Sequence, residues 1–394
     1  MSSDVAEMTR PVSVVPNGWE SRKLEEVCRL WNGRAYKKEE LLERGKYVVL
    51  RVGNFFTNDR WYYSDLELDN EKYCDDGDLL YAWSASFGPR VWAGGKVIYH
   101  YHIWKIAVDD RLIDKDFLFH FLDWDAEQIK ASMGSGSTMI HVTKGAMEKR
   151  AICLPPLDEQ RRIAEVLRSV DEAIAATIAS IEQAQSTLDC VRATFLNPMA
   201  DATALGDVCD VIGGYAFKST SFIESGVKVL RISNITEAGV DFSGRAVCVS
   251  QEDVRGLDRF RLKRTDTVVA LSGATTGKMC VFSSDDAVYA NQRVAFIRVR
   301  AGLADQAYIN HTLSLLTASV RQSAYGGAQP NISTKEIAMM EIALPSLPEQ
   351  RELADVLDAL SQAVAFGERA LSAHQATKAT LMSNLLSGHL RVPA

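Results

Sequence analysis

The 394-residue sequence predicts an α+β protein in which two tandem copies of a mixed α/β domain alternate with two long helices that pair with each other. Three observations carry this expectation. Leu154-Pro155-Pro156-Leu157-Asp158-Glu159-Gln160-Arg161 returns as Leu344-Pro345-Ser346-Leu347-Pro348-Glu349-Gln350-Arg351, and each copy runs into an alanine-rich amphipathic stretch. Both stretches place apolar residues at alternating steps of four and three, the heptad spacing of a coiled coil. Short β-type motifs ahead of each copy recur in the same order, at an offset drifting from 181 (Leu24 to Leu205) to 190 (Leu154 to Leu344). The chain thus divides into a first domain (1–153), a first spacer helix (154–197), a second domain (198–343) and a second spacer helix (344–394).

Pro16-Asn17-Gly18-Trp19-Glu20 introduces the first domain. Leu24-x-x-Val27-Cys28 and Gly33-x-Ala35-Tyr36-Lys37 come next, matched by Leu205-x-x-Val208-Cys209 and Gly214-x-Ala216-Phe217-Lys218. Leu50-Arg51-Val52-Gly53-Asn54 is matched by Leu230-Arg231-Ile232-Ser233-Asn234, and the run from Asp78 to Ser84 by the run from Asp266 to Ser272. β-branched and aromatic runs at 47–52, 97–99, 268–271 and 294–299, bounded by Gly, Asn or Asp, predict strands. Short helices are expected at 116–131 and 305–321. Each domain closes with a small glycine-rich loop, Gly134-Ser135-Gly136-Ser137-Thr138 in the first and Tyr325-Gly326-Gly327-Ala328-Gln329-Pro330-Asn331 in the second.

The prolines of the repeated octapeptide end the preceding element and are tolerated only in the first turn of the next one, so a helix starts at each copy. Ser346 and Glu349 have the spacing of a capping box, whereas Pro156 occupies the cap position of the first copy. The first seam runs Ile163, Leu167, Val170, Ile174, Thr177, Ile181, Ala184, Leu188, Val191, Phe195. The second runs Leu353, Leu357, Leu360, Val364, Gly367, Leu371, His374, Lys378, Leu381, Leu385, and is weaker because Gly367, His374 and Lys378 face inward. A helix of about forty residues spans about 60 Å, too long and too narrow in its apolar stripe for an ordinary core helix. The natural partner of each seam is the other.

With 47% apolar and 24% charged residues and no apolar run long enough for a bilayer, the chain is expected to be soluble; without signal-peptide features it is expected to be cytoplasmic. Seven scattered cysteines, an odd number without a C-x-x-C, predict free thiols rather than disulfides or a zinc site. His100 and His102 could share one face of a strand, but no second pair lies nearby, and no metal site is expected. The net charge of −7 predicts weak DNA binding by the chain alone, with a partner supplying much of the phosphate contact.

Gly273-Ala274-Thr275-Thr276-Gly277-Lys278-Met279 resembles a phosphate loop but is one residue short, with Met279 where the magnesium-binding hydroxyl belongs, so ATP hydrolysis is not expected there. Its counterpart is Ser84-Ala85-Ser86-Phe87-Gly88-Pro89-Arg90. Two hydroxyl-rich loops ending near a cation suit contacts to nucleic-acid phosphates; ordinary polar turns are the alternative. Asn197-Pro198-Met199-Ala200 is not the tetrapeptide of an amino-methyltransferase. Asp109-Asp110 and Asp285-Asp286 lack the lysine a nuclease site needs, and seven scattered histidines single out no triad. No catalytic residue is therefore nominated. Basic residues cluster at Arg22-Lys23, Arg34, Lys37-Lys38 and Arg51, at Arg255-x-x-x-Arg259-Phe260-Arg261-x-Lys263-Arg264, and at Arg298-x-Arg300. The nucleic-acid contacts nominated from sequence are Arg34, Lys37, Arg51, Asn54, Ser84, Ser86 and Arg90 in the first domain. In the second they are Lys218, Arg231, Asn234, Ser272, Thr275, Lys278, Gln329 and Asn331.

The repeated octapeptide, the heptad helix after each copy, the opening Pro16-x-Gly18-Trp19-Glu20 and the twice-used Gly-x-Ala-aromatic-Lys together resemble the DNA-specificity subunit of type I restriction-modification systems, over nearly the whole chain. The resemblance implies two target-recognition domains, each reading half of a bipartite sequence in double-stranded DNA. It implies an antiparallel coiled coil with pseudo-twofold arrangement that separates them, docks two methyltransferase subunits and allows nuclease-translocase subunits to join. It also implies a non-catalytic chain that binds no cofactor directly, the methyltransferase using S-adenosylmethionine and the nuclease ATP and Mg. The inward Gly367, His374 and Lys378 mark either partner docking or looser packing. A heptad inserted at matching levels of both helices, after Ile174 and Val364, is expected to preserve the seam. The rival readings are a fused catalytic protein, which lacks its motifs, and a coiled-coil scaffold without sequence-specific DNA binding.

Overall fold

A computed structural model describes residues 15–56, 60–84, 87–132, 142–196, 202–236, 239–244, 246–273, 275–324 and 331–392. The first domain contains β1 (Glu20–Lys23), α1 (Leu24–Val27), β2 (Cys28–Asn32), β3 (Tyr47–Leu50), α2 (Val52–Phe56), β4 (Tyr62–Ser64), β5 (Tyr73–Cys74) and β6 (Leu79–Ala82). It continues with β7 (Gly88–Val91), β8 (Val97–Tyr99), β9 (Ile103–Val108), α3 (Lys115–Ser132), α4 (Lys144–Glu148) and β10 (Ala151–Leu154), and then the long α5 (Leu157–Phe195). The second contains β11 (Thr203–Ala204), α6 (Leu205–Val208), β12 (Cys209–Gly213), β13 (Val227–Leu230), β14 (Ile235–Thr236), β15 (Gly239–Val240), β16 (Val247–Val249) and β17 (Thr267–Ala270). It ends with β18 (Met279–Val281), β19 (Val288–Ala290), β20 (Val294–Val299), α7 (Gln306–Ala324), α8 (Thr334–Ala338), β21 (Glu341–Ile342) and the long α9 (Leu347–Leu386).

The two domains share one topology. An antiparallel sheet runs β2-β9-β6-β7 in the first and β12-β20-β17-β18 in the second. Beside it lies a sheet that contains one parallel pair, β3 with β8 in the order β4-β3-β8-β5 and β13 with β19 in the order β16-β13-β19. Strands β6, β8, β17 and β19 are buried along their whole length, which explains their unbroken apolar runs. The strands and helices expected from sequence are present within a few residues of their predicted bounds. Both glycine-rich loops lie outside the described residues except Asn331. Pattern reading missed the two-stranded closures β1–β10 and β11–β21, because each pairs segments far apart in the chain.

The compact units cut across the sequential segments. One comprises residues 1–177 with 370–394, the other 178–369. Each domain packs on the start of the helix that succeeds it and on the end of the other helix. In the first unit Ile163, Ala164 and Leu167 share a core with Trp19, Phe117, Met382 and Leu385. In the second, Ala354 and Leu357 share one with Leu188, Leu196, Tyr308 and Ile309. Within each unit the helices therefore run antiparallel. Thr177 Oγ1 lies 3.3 Å from His374 Nδ1, and a Cβ on Gly367 would come within 2.6 Å of Ile181 Cγ1. Ile174 and Val364 are consequently equivalent in the repeat but not level with each other, because in an antiparallel pair residue numbers rise on one helix as they fall on the other.

The octapeptide works through its glutamine. Gln160 Oε1 accepts from the Asp114 backbone N–H (2.8 Å) just before α3, while its amide donates to Pro155 and Leu112 carbonyls. Gln350 repeats this with Asp305 (2.8 Å) and Pro345 (2.7 Å). Ser346 caps α9 by donating its backbone N–H and hydroxyl to Glu349. Where Pro156 removes that cap, Glu159 is released for another use: it accepts two bonds from Arg391 (2.6 and 2.7 Å) and one from the Trp19 indole (3.3 Å).

Candidate nucleic-acid interface

In each domain three repeated segments converge on one three-residue turn. In the first it is His100-Tyr101-His102, between β8 and β9. The Gly33 N–H donates to Ile103 O and the Arg34 N–H to Tyr99 O; Tyr101 N–H returns to Arg34 O, His100 N–H reaches Leu50 O, and Trp83 N–H reaches His102 O (2.8–3.1 Å). In the second domain the turn is Asn291-Gln292-Arg293. The matching donors Gly214, Tyr215, Asn291 and Leu271 bond to Val294, Ala290, Leu230 and Arg293 carbonyls (2.8–2.9 Å). This convergence accounts for the glycine that opens both copies of the Gly-x-Ala-aromatic-Lys motif. A Cβ at Gly33 or Gly214 would collide with the carbonyls of Tyr99 and His100, or of Ala290 and Asn291.

The side chains on this shared frame differ. In the first domain the turn is aromatic: Tyr101 and His102 have ring centroids 3.8 Å apart, His102 packs edge-on against Trp83 at 4.8 Å, and the Trp83 indole donates to Tyr101 O at 2.8 Å. His100 is pushed down to about 4, chiefly by burial, then by His102 and the Arg51 guanidinium, so it is neutral at physiological pH. The two histidines flank a turn rather than sharing a strand face. In the second domain Gln292 and Arg293 are exposed. The turn was not nominated from sequence. Its signal was available in the repeat itself, as strand, three residues, strand at 97–108 and again at 288–299.

The nominated residues divide by environment. Lys37 and Lys218 are exposed beside the converging segments, and Arg51 and Arg231 are half-buried next to the turn, Arg51 lying over Tyr62 at 5.2 Å. Arg34 is committed to a bidentate pair with Glu40 (3.0 and 2.7 Å), which holds the Glu40 carboxyl below the usual range. Asn54 and Asn234 spend their amides on the chain: each Oδ1 accepts from the backbone N–H of Arg51 or Arg231 (3.2 and 3.1 Å), and each Nδ2 donates to Arg60 O or Asp241 O (3.1 and 3.0 Å). Ser84 is buried; Ser272 bridges to Asn331 across an isolated β-bridge. Arg90 is exposed on β7. Thr275 and Lys278 sit in the connection between β17 and β18, where Lys278 N–H donates to Thr275 O, so the phosphate-loop likeness joins two antiparallel strands rather than forming a strand-to-helix cradle. Ser86 and Gln329 lie outside the described residues. Of the basic clusters, Arg298 and Arg300 are paired with Asp266 and Asp210, and Arg264 with Asp285, while Arg255, Arg259 and Arg261 are exposed.

Along the seam Ile163, Leu167, Leu188 and Leu357 are buried, and Val170, Ile174, Ile181, Leu353, Leu360, Val364, Leu371 and Leu381 are half-buried. Phe195, placed last in the first seam, is 52% exposed. The inward polar residues have partners: His374 meets Thr177, and Lys378 bridges Asp171 (2.8 Å) and Asp123 (3.3 Å).

The family model described as the type I restriction modification DNA specificity domain matches residues 16–184 and again 201–372. The chain belongs to that family. Its relatives include the MjaVIII type I specificity subunit of Methanocaldococcus jannaschii, 24% identical over 96% of this chain and 94% of that one. The EcoBI specificity subunit of Escherichia coli is 20% identical over 86% of this chain and 78% of its own. Among solved structures, the type I S subunit of M. genitalium aligns with a TM-score of 0.63 at 16% identity, covering 95% and 98% of the two chains. A chain from a structure concerned with assembly and conformational transition of the type I R-M system aligns at 0.55 with 18% identity, covering 96% and 100%. These likenesses establish the fold of a specificity subunit: two specificity domains and paired long helices.

Proposed function

We propose that this chain is the DNA sequence-recognition subunit of a type I restriction-modification complex, each domain reading one half of an asymmetric bipartite target with a fixed gap. The observation that carries the proposal is the doubled specificity domain, in which one backbone frame presents different side chains in each copy. The chain itself contributes recognition and assembly, with no catalytic residue and no cofactor of its own. Methyl transfer belongs to two docked methyltransferase subunits using S-adenosylmethionine, and cleavage to nuclease-translocase subunits using ATP and Mg. The exposed apolar Val356 and Phe366 on α9 suit that docking. Among the described residues no helix is long and apolar enough to cross a membrane, and the proposed site of action is the cytoplasm. Methylome sequencing of a host carrying this chain with its methyltransferase tests the proposal. An asymmetric two-part motif is expected. Random methylation, or random DNA binding by the reconstituted complex, would instead leave the coiled-coil scaffold reading.

A further inference from the structure

We propose that the turn between β19 and β20 is a base-reading element, with Arg293 recognising a guanine edge and Gln292 an adjacent adenine edge in the second half-site. The inference rests on the functional reading above and deepens it. Arginine bonds bidentately to guanine O6 and N7, and glutamine to adenine N6 and N7, so these two side chains carry the donors and acceptors that base readout requires. Both are exposed, and neither side chain has a hydrogen bond or ion pair among the described residues. That sets Arg293 apart from Arg264, Arg298 and Arg300 of the same domain, each held by an aspartate.

The turn is also rigid, as a reader must be. Its ends are fixed by Asn291 N–H to Leu230 O (2.9 Å) and Val294 N–H to Asn291 O (2.8 Å), and Leu271 N–H holds the Arg293 carbonyl (2.9 Å). The segments bonded to it at Leu230 and Tyr215 run on into half-buried Arg231 and exposed Lys218, cations suited to phosphate contact. The equivalent turn of the first domain keeps every one of these backbone bonds yet carries His100-Tyr101-His102, which lacks an arginine or amide and offers aromatic surface instead. A scaffold that preserves its main-chain bonds while exchanging all three side chains at one turn is built to change what that turn reads.

The test uses the full chain reconstituted with its methyltransferase subunits and a DNA library randomised in both half-sites. Arg293→Ala is expected to lose about 10- to 100-fold of discrimination at one base pair of one half-site, and Gln292→Ala a comparable amount at a neighbouring pair. The other half-site and the gap should be unchanged, which also reports that the variant is folded. Uniform weakening across all sequences would make Arg293 a phosphate contact and overturn the proposal, as would an unchanged target. If the unaltered complex shows no sequence preference, the functional reading itself fails, and this inference with it.

Discussion

At the scale of single residues, the motif glycines are the most constrained positions. Gly214→Ala drives a methyl group into two carbonyls of β19 and its turn, and should cost about 1–3 kcal/mol or more, read as a drop in the urea midpoint. Exposed Lys37 and Lys218 should behave differently. Alanine at either is expected to leave stability unchanged, weaken binding to all sequences alike and reduce the salt slope by about one. Arg34→Ala should act through its pair with Glu40 and loosen the loop. Histidines give a pH dependence. Burial lowers His100 to about 4 and also lowers His120 and His311. An unfolded histidine takes up its proton near 6.5, so below that pH the unfolded chain binds more protons than the fold does and stability falls as pH drops toward 5. Asp109, held at about 2 chiefly by Arg111, titrates below this window. Urea unfolding at pH 7.5 and pH 5 should show the loss, and His120→Gln with His311→Gln should reduce it. Sequence alone could nominate a basic residue but not see its acid, as Arg34, Arg298 and Arg300 demonstrate. Nor could it show that Asn54 and Asn234, nominated for DNA contact, also close their own turns.

At the scale of elements, the heptads were legible because a 3.5-residue period survives in any helix that buries a narrow stripe. The exceptions were not legible, because each is explained by a residue on another element. Gly367 admits Ile181, and Lys378 neutralises Asp171 from α5 and Asp123 from α3. Lys378→Ala leaves those two carboxylates facing each other in a half-buried space and should destabilise by about 1–3 kcal/mol, discounted from a fully buried pair because the aspartates are one-third exposed. Lys378→Ala combined with Asp171→Asn should recover part of that loss in the same denaturation assay. The short closures β1–β10 and β11–β21 escaped pattern reading for the same reason: their partners lie more than a hundred residues away.

For the whole molecule, all seven tryptophans and eight of twelve tyrosines lie in the first domain, so a palindromic target would be incompatible with two recognition surfaces of such different composition. The net charge of −7 predicts weak DNA binding by the lone chain and tight binding with methyltransferase; gel shifts at two salt concentrations decide this. The helices can be tested as a ruler with one heptad after Thr177 and another after Ala373, positions that face each other. The insertion lengthens the pair by about 10 Å, about three base pairs, but three pairs also turn the duplex by about 100°. Selection from libraries of varied gap should show loss of the original gap and at best weak recovery at a longer one; an unchanged gap would mean that the helices do not set it. The discontinuous first unit has a further consequence for synthesis. Residues 178–369 are contiguous and can close as soon as they leave the ribosome, whereas the first unit must wait for 370–394, including Arg391, which ties Glu159 to the segment at Trp19. The half of the chain made first is thus completed last, and until then Ile163 and Leu167 lack their C-terminal neighbours, a window in which a chaperone or the α9 segment of a second nascent copy could occupy the seam.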